Sequence, residues 1–450
     1  LLHKFGQIPR RPEITYEATL VLNLLLYWAV AGGALAALKD RRPFGAWLKT
    51  QAPQIALLCF SIVLSLGFLE VAIRLLRPQL AARPFERLPS ETLHHVNAPN
   101  RSSLGMGNQR VVTNSDGFRT PHEREEFLKL EHRVVLLGDS YAFGLGVAGE
   151  ESVAAQLEKL LREGLEAAGH SGGVGVLNTG VISYSPYLQR EVFRRVAVHY
   201  RPTLTLLLLD INDIGDDHQY RQENVAGDGE APRFEVPPLD ESTSLCDLSA
   251  ACRAVEPLRD RLAKPLWVLK RLTGTEGEAY DYYDFKVEIA GGVERNRFFV
   301  LRYPLEDSRP FLDATWANLS AVAGEARAAG SEFVGVVMPR YFHWNDEECP
   351  NNWEADRYGV DEPHEEVFLQ YFDARAGQSD FPVWSLLPPF RTASAEGPLV
   401  FDHDPHWNAR GHRAAAAALA AWVLEAGWPR DPIPPSPRLS EAADRAALRR

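Results

Sequence analysis

The chain has 450 residues, 45% of them hydrophobic, and 48 Lys+Arg against 60 Asp+Glu leave a formal net charge of −12. This length holds two to three domains and a full enzyme core. The acidic balance excludes the basic stripe of a nucleic-acid binder, and 24% charged with 10% aromatic residues exclude a wholly disordered chain. Cys59, Cys246, Cys252 and Cys349 are too few and too scattered for a disulfide scaffold or a zinc ribbon. Cys246 and Cys252 are spaced to close a small loop in an oxidising compartment, and two free thiols fit equally well.

Residues 18–38 and 50–69 contain no charged side chain, and each run is about 20 residues, enough to cross the hydrocarbon of a bilayer as a helix. Two transmembrane helices are therefore expected, at 18–38 and 50–73, within a membrane anchor of residues 1–77. Arg74 and Arg77 follow the second run and can snorkel to headgroups. Lys39, Arg41, Arg42 and Lys49 outnumber Asp40 in the short connector, which favours the cytoplasmic side for it and an extracytoplasmic position for everything after Arg77. Leu1 is not a start methionine, so two spans are a minimum and the expected class is a multi-pass membrane protein.

Residues 78–131 are polar and broken by Pro and Gly, and are expected to be a linker. They include Asn114-Ser115-Asp116-Gly117-Phe118-Arg119, whose Ser-Asp-Gly reads as a turn. From His132 strands and helices alternate. Strands are expected at 134–137, 174–177 and 204–209; helices follow from Val153, Leu157, Leu160, Leu161 and Leu165, closed by Gly169, and from Leu188, Val192 and Val196. This order implies right-handed crossovers and a parallel sheet covered on both faces. The alternation lapses over about 214–309, an expected insertion at the sheet rim. It resumes with a helix at 311–329, a strand at 333–338, a helix at 363–376, a strand at 381–386 and a helix at 408–426. Residues 132–427 thus form the expected catalytic domain, and 428–450 a Pro-rich, mobile tail.

Ligands gather outside the carboxyl ends of strands in open α/β sheets. The first three strands end in Gly138-Asp139-Ser140, Asn178-Thr179-Gly180 and Asp210-Ile211-Asn212-Asp213, and Asp402-His403-Asp404-Pro405-His406-Trp407-Asn408 precedes the last helix. Singly these are turns and helix caps. Together they supply the parts of an acyl-transfer site. A serine hydroxyl needs a base to take its proton as it attacks; His406 would be that base for Ser140, with a carboxylate fixing the imidazole tautomer. The Ser140 N–H, the Gly180 N–H and the Asn212 side-chain amide are the candidate donors to the oxyanion.

These four blocks, in order, resemble the SGNH or GDSL hydrolase superfamily, and the anchored start and Asn-Ser-Asp-Gly-Phe-Arg stretch are similar to its bacterial members. The resemblance implies a flavodoxin-like three-layer α/β/α sandwich with Ser140, Gly180, Asn212 and His406 as the eponymous residues. The superfamily places its aspartate three residues before the histidine, where this chain has His403. Asp404 is then the expected triad acid and Asp402 the alternative. Asp-Pro-His-Trp is similar to the Asp-x-His-Trp of alginate-type O-acetyltransferases.

Gly144-Leu145-Gly146-Val147-Ala148-Gly149 matches G-x-G-x-x-G, but lies six residues beyond the strand, where a dinucleotide fingerprint needs a tight strand-to-glycine turn. A metal held by Asp402, His403, Asp404 and His406 with Asp213, Asp216, Asp217 and His218 is a weaker reading, since such residues also suit solvated loops. The expected function is a membrane-anchored serine esterase that needs no cofactor and acts on an extracytoplasmic carbohydrate or lipid ester. An O-acetyltransferase with the same nucleophile is the alternative, and an inactive anchored binding module the second.

Overall fold

The computed structural model describes residues 44–76, 83–226, 231–235, 285–429, 431 and 433, apart from 86, 107–108, 353 and 359–361. The chain divides into two compact units, Leu1–Pro84 with Pro238–Tyr280, and Phe85–Pro237 with Asp281–Arg450. The first unit contains helix α1, Phe44–Leu76. Its segment Lys49–Ala72 is long and apolar enough to cross a membrane, and Leu57, Phe60, Val63, Leu64 and Phe68 are exposed along it. It is the single such span among the described residues. The span expected at 18–38 lies outside them, so two transmembrane helices are not shown. Cys246 and Cys252 also lie outside the described residues.

The second unit is built on five parallel strands: β5 (His132–Leu137), β6 (Val174–Asn178), β7 (Leu204–Leu209), β10 (Glu332–Val337) and β11 (Val383–Ser385). Their spatial order is β11-β10-β7-β5-β6. Counted along the chain this is 2-1-3-4-5, the doubly wound order of flavodoxin-like folds. β7 is buried at every position, as a central parallel strand must be, and each of its fully buried leucines contributes about 2 kcal/mol.

Helices α3 (Val153–Ala167) and α9 (Ala409–Glu425) pack together against the sheet, while α4 (Pro186–Arg195), α5 (Asn212–Glu223) and α6 (Leu305–Ala328) form a second group. In α3 the buried Val153, Leu157, Leu161 and Leu165 follow the predicted stripe, and Ser152 caps its start. α6 begins six residues earlier than expected and carries Pro310 inside it. α7 (Val367–Ala376) starts later than expected, and β11 is only three residues long at the sheet edge.

The alternation also persists further than expected. α5 runs on to Glu223, so the insertion begins after it; its buried face is polar (Asp213, Asp216, Asp217, Gln219) and shows no apolar stripe. The insertion contributes the hairpin β8 (Val287–Ile289) and β9 (Gly292–Glu294). Residues 85–131, expected as a linker, are folded. Strands β1 (Arg87–Ser90) and β2 (His94–Asn97) form one hairpin, and β3 (Ser102–Leu104) and β4 (Arg110–Val112) another. Arg87 Nη1 and His95 Nε2 donate to Ile182 O at 3.2 and 2.8 Å, and Asn97 Nδ2 donates to Gly180 O at 3.4 Å, so the first hairpin grips the loop after β6. Trp428, expected in the mobile tail, is buried against His132 with ring centroids 5.5 Å apart.

Candidate active site

β5 and β7 flank the point at which the strand order reverses, where a doubly wound sheet opens a crevice at its carboxyl ends. After β5 the chain turns through Gly138-Asp139 into α2, Ser140–Phe143. Asp139 caps this helix by accepting the Tyr141 N–H at 2.8 Å. Ser140 occupies the first helical position, where an N–H has no acceptor within the helix. Its hydroxyl and amide therefore emerge side by side.

His406 reaches the site from a loop between α8 (Leu387–Ser394) and α9. Val400 bridges Trp407, and Asn408 caps α9 while its Nδ2 donates to Pro398 O and Val400 O at 2.9 and 2.8 Å. The loop cannot swing away without breaking these bonds. The Ser140 Oγ hydroxyl donates to His406 Nε2 at 2.8 Å. On the other side His406 Nδ1 donates to Asp404 Oδ1 at 2.5 Å, and the His406 main-chain N–H reaches the same oxygen at 2.9 Å. Burial lowers the imidazole pKa, but the Asp404 carboxylate outweighs it and the net shift is upward. Asp402, the alternative acid, is 74% exposed and pairs with the equally exposed His403, not with His406.

Gly180 packs on α2: a Cβ there would lie 2.3 Å from the Phe143 main-chain N. Its own N–H donates to Asn178 Oδ1 at 3.0 Å within the turn, which leaves it less free than the Ser140 N–H. Asn212 begins α5 and is buried; its Nδ2 lies 3.4 Å from Asp216 Oδ2, and its Oδ1 has no partner among the described residues.

The residues sequence reasoning missed lie directly around this set. Arg340, buried after β10, donates through Nε to Asp210 Oδ1 at 3.0 Å and through Nη2 to Asp210 Oδ2. Glu354 lies 3.7 Å from Arg340 and 3.4 Å from Arg297, and Arg297 is 3.3 Å from Asp216. Asp216, Arg297, Glu354, Arg340 and Asp210 thus alternate in sign through the interior. Burial pushes Asp216 up to about 7 against the pull of Arg297, and burial with the neighbouring Asp210 pushes Asp139 up to about 6. Arg340 also lies over the Tyr141 ring, 5.2 Å from its centroid. That ring stacks 4.9 Å from His406, and its hydroxyl donates to Pro405 O at 2.9 Å. Arg340 was readable in principle, because Pro339-Arg340 follows a buried strand at its carboxyl end.

Gly144 and Gly146 of the G-x-G-x-x-G match take positive φ in the turn that follows α2. Among the described residues no group of three or more His, Cys, Asp and Glu is arranged to hold a metal ion. Asp217 instead accepts the Tyr187 N–H at 2.8 Å and Asn318 Nδ2 at 2.9 Å.

Residues 300–436 match the family described as SGNH hydrolase-like domain, acetyltransferase AlgX. Over that stretch the chain is similar to an SGNH hydrolase-like domain. The matched stretch contains Arg340, Asp404 and His406, while Ser140, Gly180 and Asn212 precede it at the ends of the first three strands of the sheet. No curated protein matches the sequence. Among solved structures, a GDSL-like lipase from Bacteroides thetaiotaomicron is similar at 10% identity over 66% of this chain and 89% of its own, with a TM-score of 0.31. An acetylxylan esterase from Geobacillus stearothermophilus is similar at 13% identity over 65% and 94%, with a TM-score of 0.33.

Proposed function

We propose that this SGNH domain is a serine acyl-transfer enzyme that cleaves an ester, in the first instance an O-acetyl ester of an extracytoplasmic carbohydrate or lipid, and that α1 helps to anchor it to a membrane. The observation that carries the reading is the continuous relay from Ser140 through His406 to Asp404. Asp404 holds the proton on Nδ1, so Nε2 presents its lone pair to the Ser140 hydroxyl. As Oγ attacks the ester carbonyl, Nε2 takes the hydroxyl proton and the imidazolium is stabilised by Asp404. Collapse of the tetrahedral intermediate returns that proton to the departing alkoxide and leaves an acyl-serine. The negative oxygen of the intermediate meets the Ser140 N–H and the Asn212 amide, with the Gly180 N–H at the edge of the same pocket. In the second half-reaction His406 deprotonates water and the acid is released.

The family match to an acetyltransferase and the Asp-Pro-His-Trp sequence favour a second reading, in which a sugar hydroxyl takes the place of water. The two differ only in the acceptor. Labelling of the full chain with a fluorophosphonate tests the shared chemistry: an adduct on Ser140, absent from S140A, is expected, and no adduct on folded protein would remove the serine mechanism. Following an acetyl donor with and without an oligosaccharide separates the readings. Free acetate at an unchanged rate favours hydrolysis, and acetyl incorporated into the saccharide favours transfer.

A further inference from the structure

The hexapeptide 114–119 has a use that its turn sequence does not reveal. Asn114 Oδ1 accepts the N–H groups of Asp116 and Phe118 at 3.0 and 2.9 Å, and Asn114 Nδ2 donates to the Tyr200 hydroxyl at 2.9 Å. Asp116 in turn accepts from Tyr200 at 2.6 Å and from Arg124 at 2.8 Å, and Gly117 takes φ +82° against the Asn97 carbonyl. This turn delivers the buried Arg119 to the carboxyl end of the nucleophile helix α2. Arg119 Nη1 donates to Phe143 O at 3.0 Å and Gly144 O at 2.5 Å, and Nη2 donates to Val147 O at 2.7 Å, with the guanidinium 5.1 Å from the Phe143 ring centroid.

A helix of four residues has no stability of its own, because it never recovers the cost of its first turn. The carbonyls at its carboxyl end also lack intrahelical donors and carry the negative end of the helix dipole. Arg119 answers both needs. Burial lowers it to about 10, so it keeps its charge at neutral pH, and the three carbonyls of one short stretch receive that charge. An apolar side chain of the same size would fill the space but supply no donor, leaving the Gly144 carbonyl only the Val147 N–H at 3.4 Å.

We propose that Arg119 is a positioning residue for the nucleophile: it clamps the carboxyl end of α2 and so fixes Ser140 at hydrogen-bonding distance from His406. The segment before the sheet then belongs to the catalytic machinery. This rests on Ser140 being the nucleophile.

The test uses the full chain, wild type, R119M and R119K, with a fluorophosphonate to count active sites and p-nitrophenyl acetate as substrate. R119M is expected to label Ser140 to full stoichiometry but about 10- to 100-fold more slowly, since a misplacement of roughly 1 Å costs about that much. Its kcat per labelled site falls by the same factor, with KM within about 2-fold and the acid limb of the pH profile unmoved. R119K, which keeps a cation but loses the fork, recovers part of the rate. Wild-type labelling rate and kcat per site in both variants would overturn the proposal and reduce Arg119 to a contributor to stability. Should R119M fail to fold, R119K decides: a slowed kcat per site supports the clamp and an unchanged one removes it. A wild-type chain that does not label at Ser140 removes the nucleophile reading itself, an outcome distinct from labelled wild type with unaffected variants.

Discussion

Ser140 and His406 stand 266 positions apart in the chain, and the hydroxyl of one meets the imidazole of the other at 2.8 Å. Neither segment reaches that point by itself. β5 and α2 present the hydroxyl at the crevice, and the Asn408 bonds to Pro398 and Val400 hold the imidazole over it.

The carboxylate behind His406 should be separable from its neighbour two residues earlier. D404N keeps the side-chain shape but turns a pure acceptor into an amide, and is expected to lower kcat by about 10³–10⁴-fold. D402N, altering an exposed pair, should stay within about 2-fold. Steady-state kinetics on one ester decides between them; equal losses would mean that the loop, and not the relay, sets the rate.

The pH profile should carry the same signature. His406 accepts a proton only when neutral, and its pKa lies above the usual 6.5 because Asp404 outweighs burial. Activity should therefore be full at alkaline pH and fall as pH drops through a value above 6.5. In D404N burial acts unopposed by that carboxylate, so the limb should move to lower pH while the plateau falls. A limb that stays in place in D404N would assign it to another group.

The proposed oxyanion donors predict a division of effects. N212A is expected to lower kcat by about 10²–10³-fold with little change in KM, since that amide works on charge that develops after binding. G180A should do something different. Its Cβ would press within 2.3 Å of the Phe143 main chain, so α2 must shift and both activity and thermal midpoint should fall. A G180A enzyme of wild-type midpoint would mean that the turn yields more easily than its packing indicates.

The buried Arg340–Asp210 pair yields a stability prediction. R340M strands the Asp210 carboxylate in the interior and is expected to cost about 3–5 kcal/mol, a fall in Tm of roughly 10 °C. R340M/D210N, which removes both charges, should regain at least half of it. A double variant no more stable than R340M would place the cost in lost packing over Tyr141.

The sheet, its strand order and the positions of Ser140, Gly180, Asn212 and His406 were legible because apolar runs and strand-end turns are local signals. Asp404, and not Asp402, is the carboxylate in contact with His406, the pairing expected from their places in the loop. Less visible was whatever depends on contacts between distant segments. α5 hides its extent behind a buried face of Asp213, Asp216, Asp217 and Gln219, a pattern that reads as a loop until Arg297 and Asn318 are seen to meet it. The hairpins before His132 hide because their strands are only three or four residues long, and the first of them is held by bonds to the distant loop after β6. The family match begins only at residue 300, so the blocks that hold Ser140, Gly180 and Asn212 were picked out from the residues alone.

The placement of His406 just ahead of the last helix has a temporal meaning. A polypeptide leaves the ribosome amino end first, so Ser140 is made 266 positions before the imidazole that it meets. Until residue 406 has been made, the Ser140 hydroxyl has no imidazole to meet, so the pair exists only in a chain extended well past the fifth strand of the sheet.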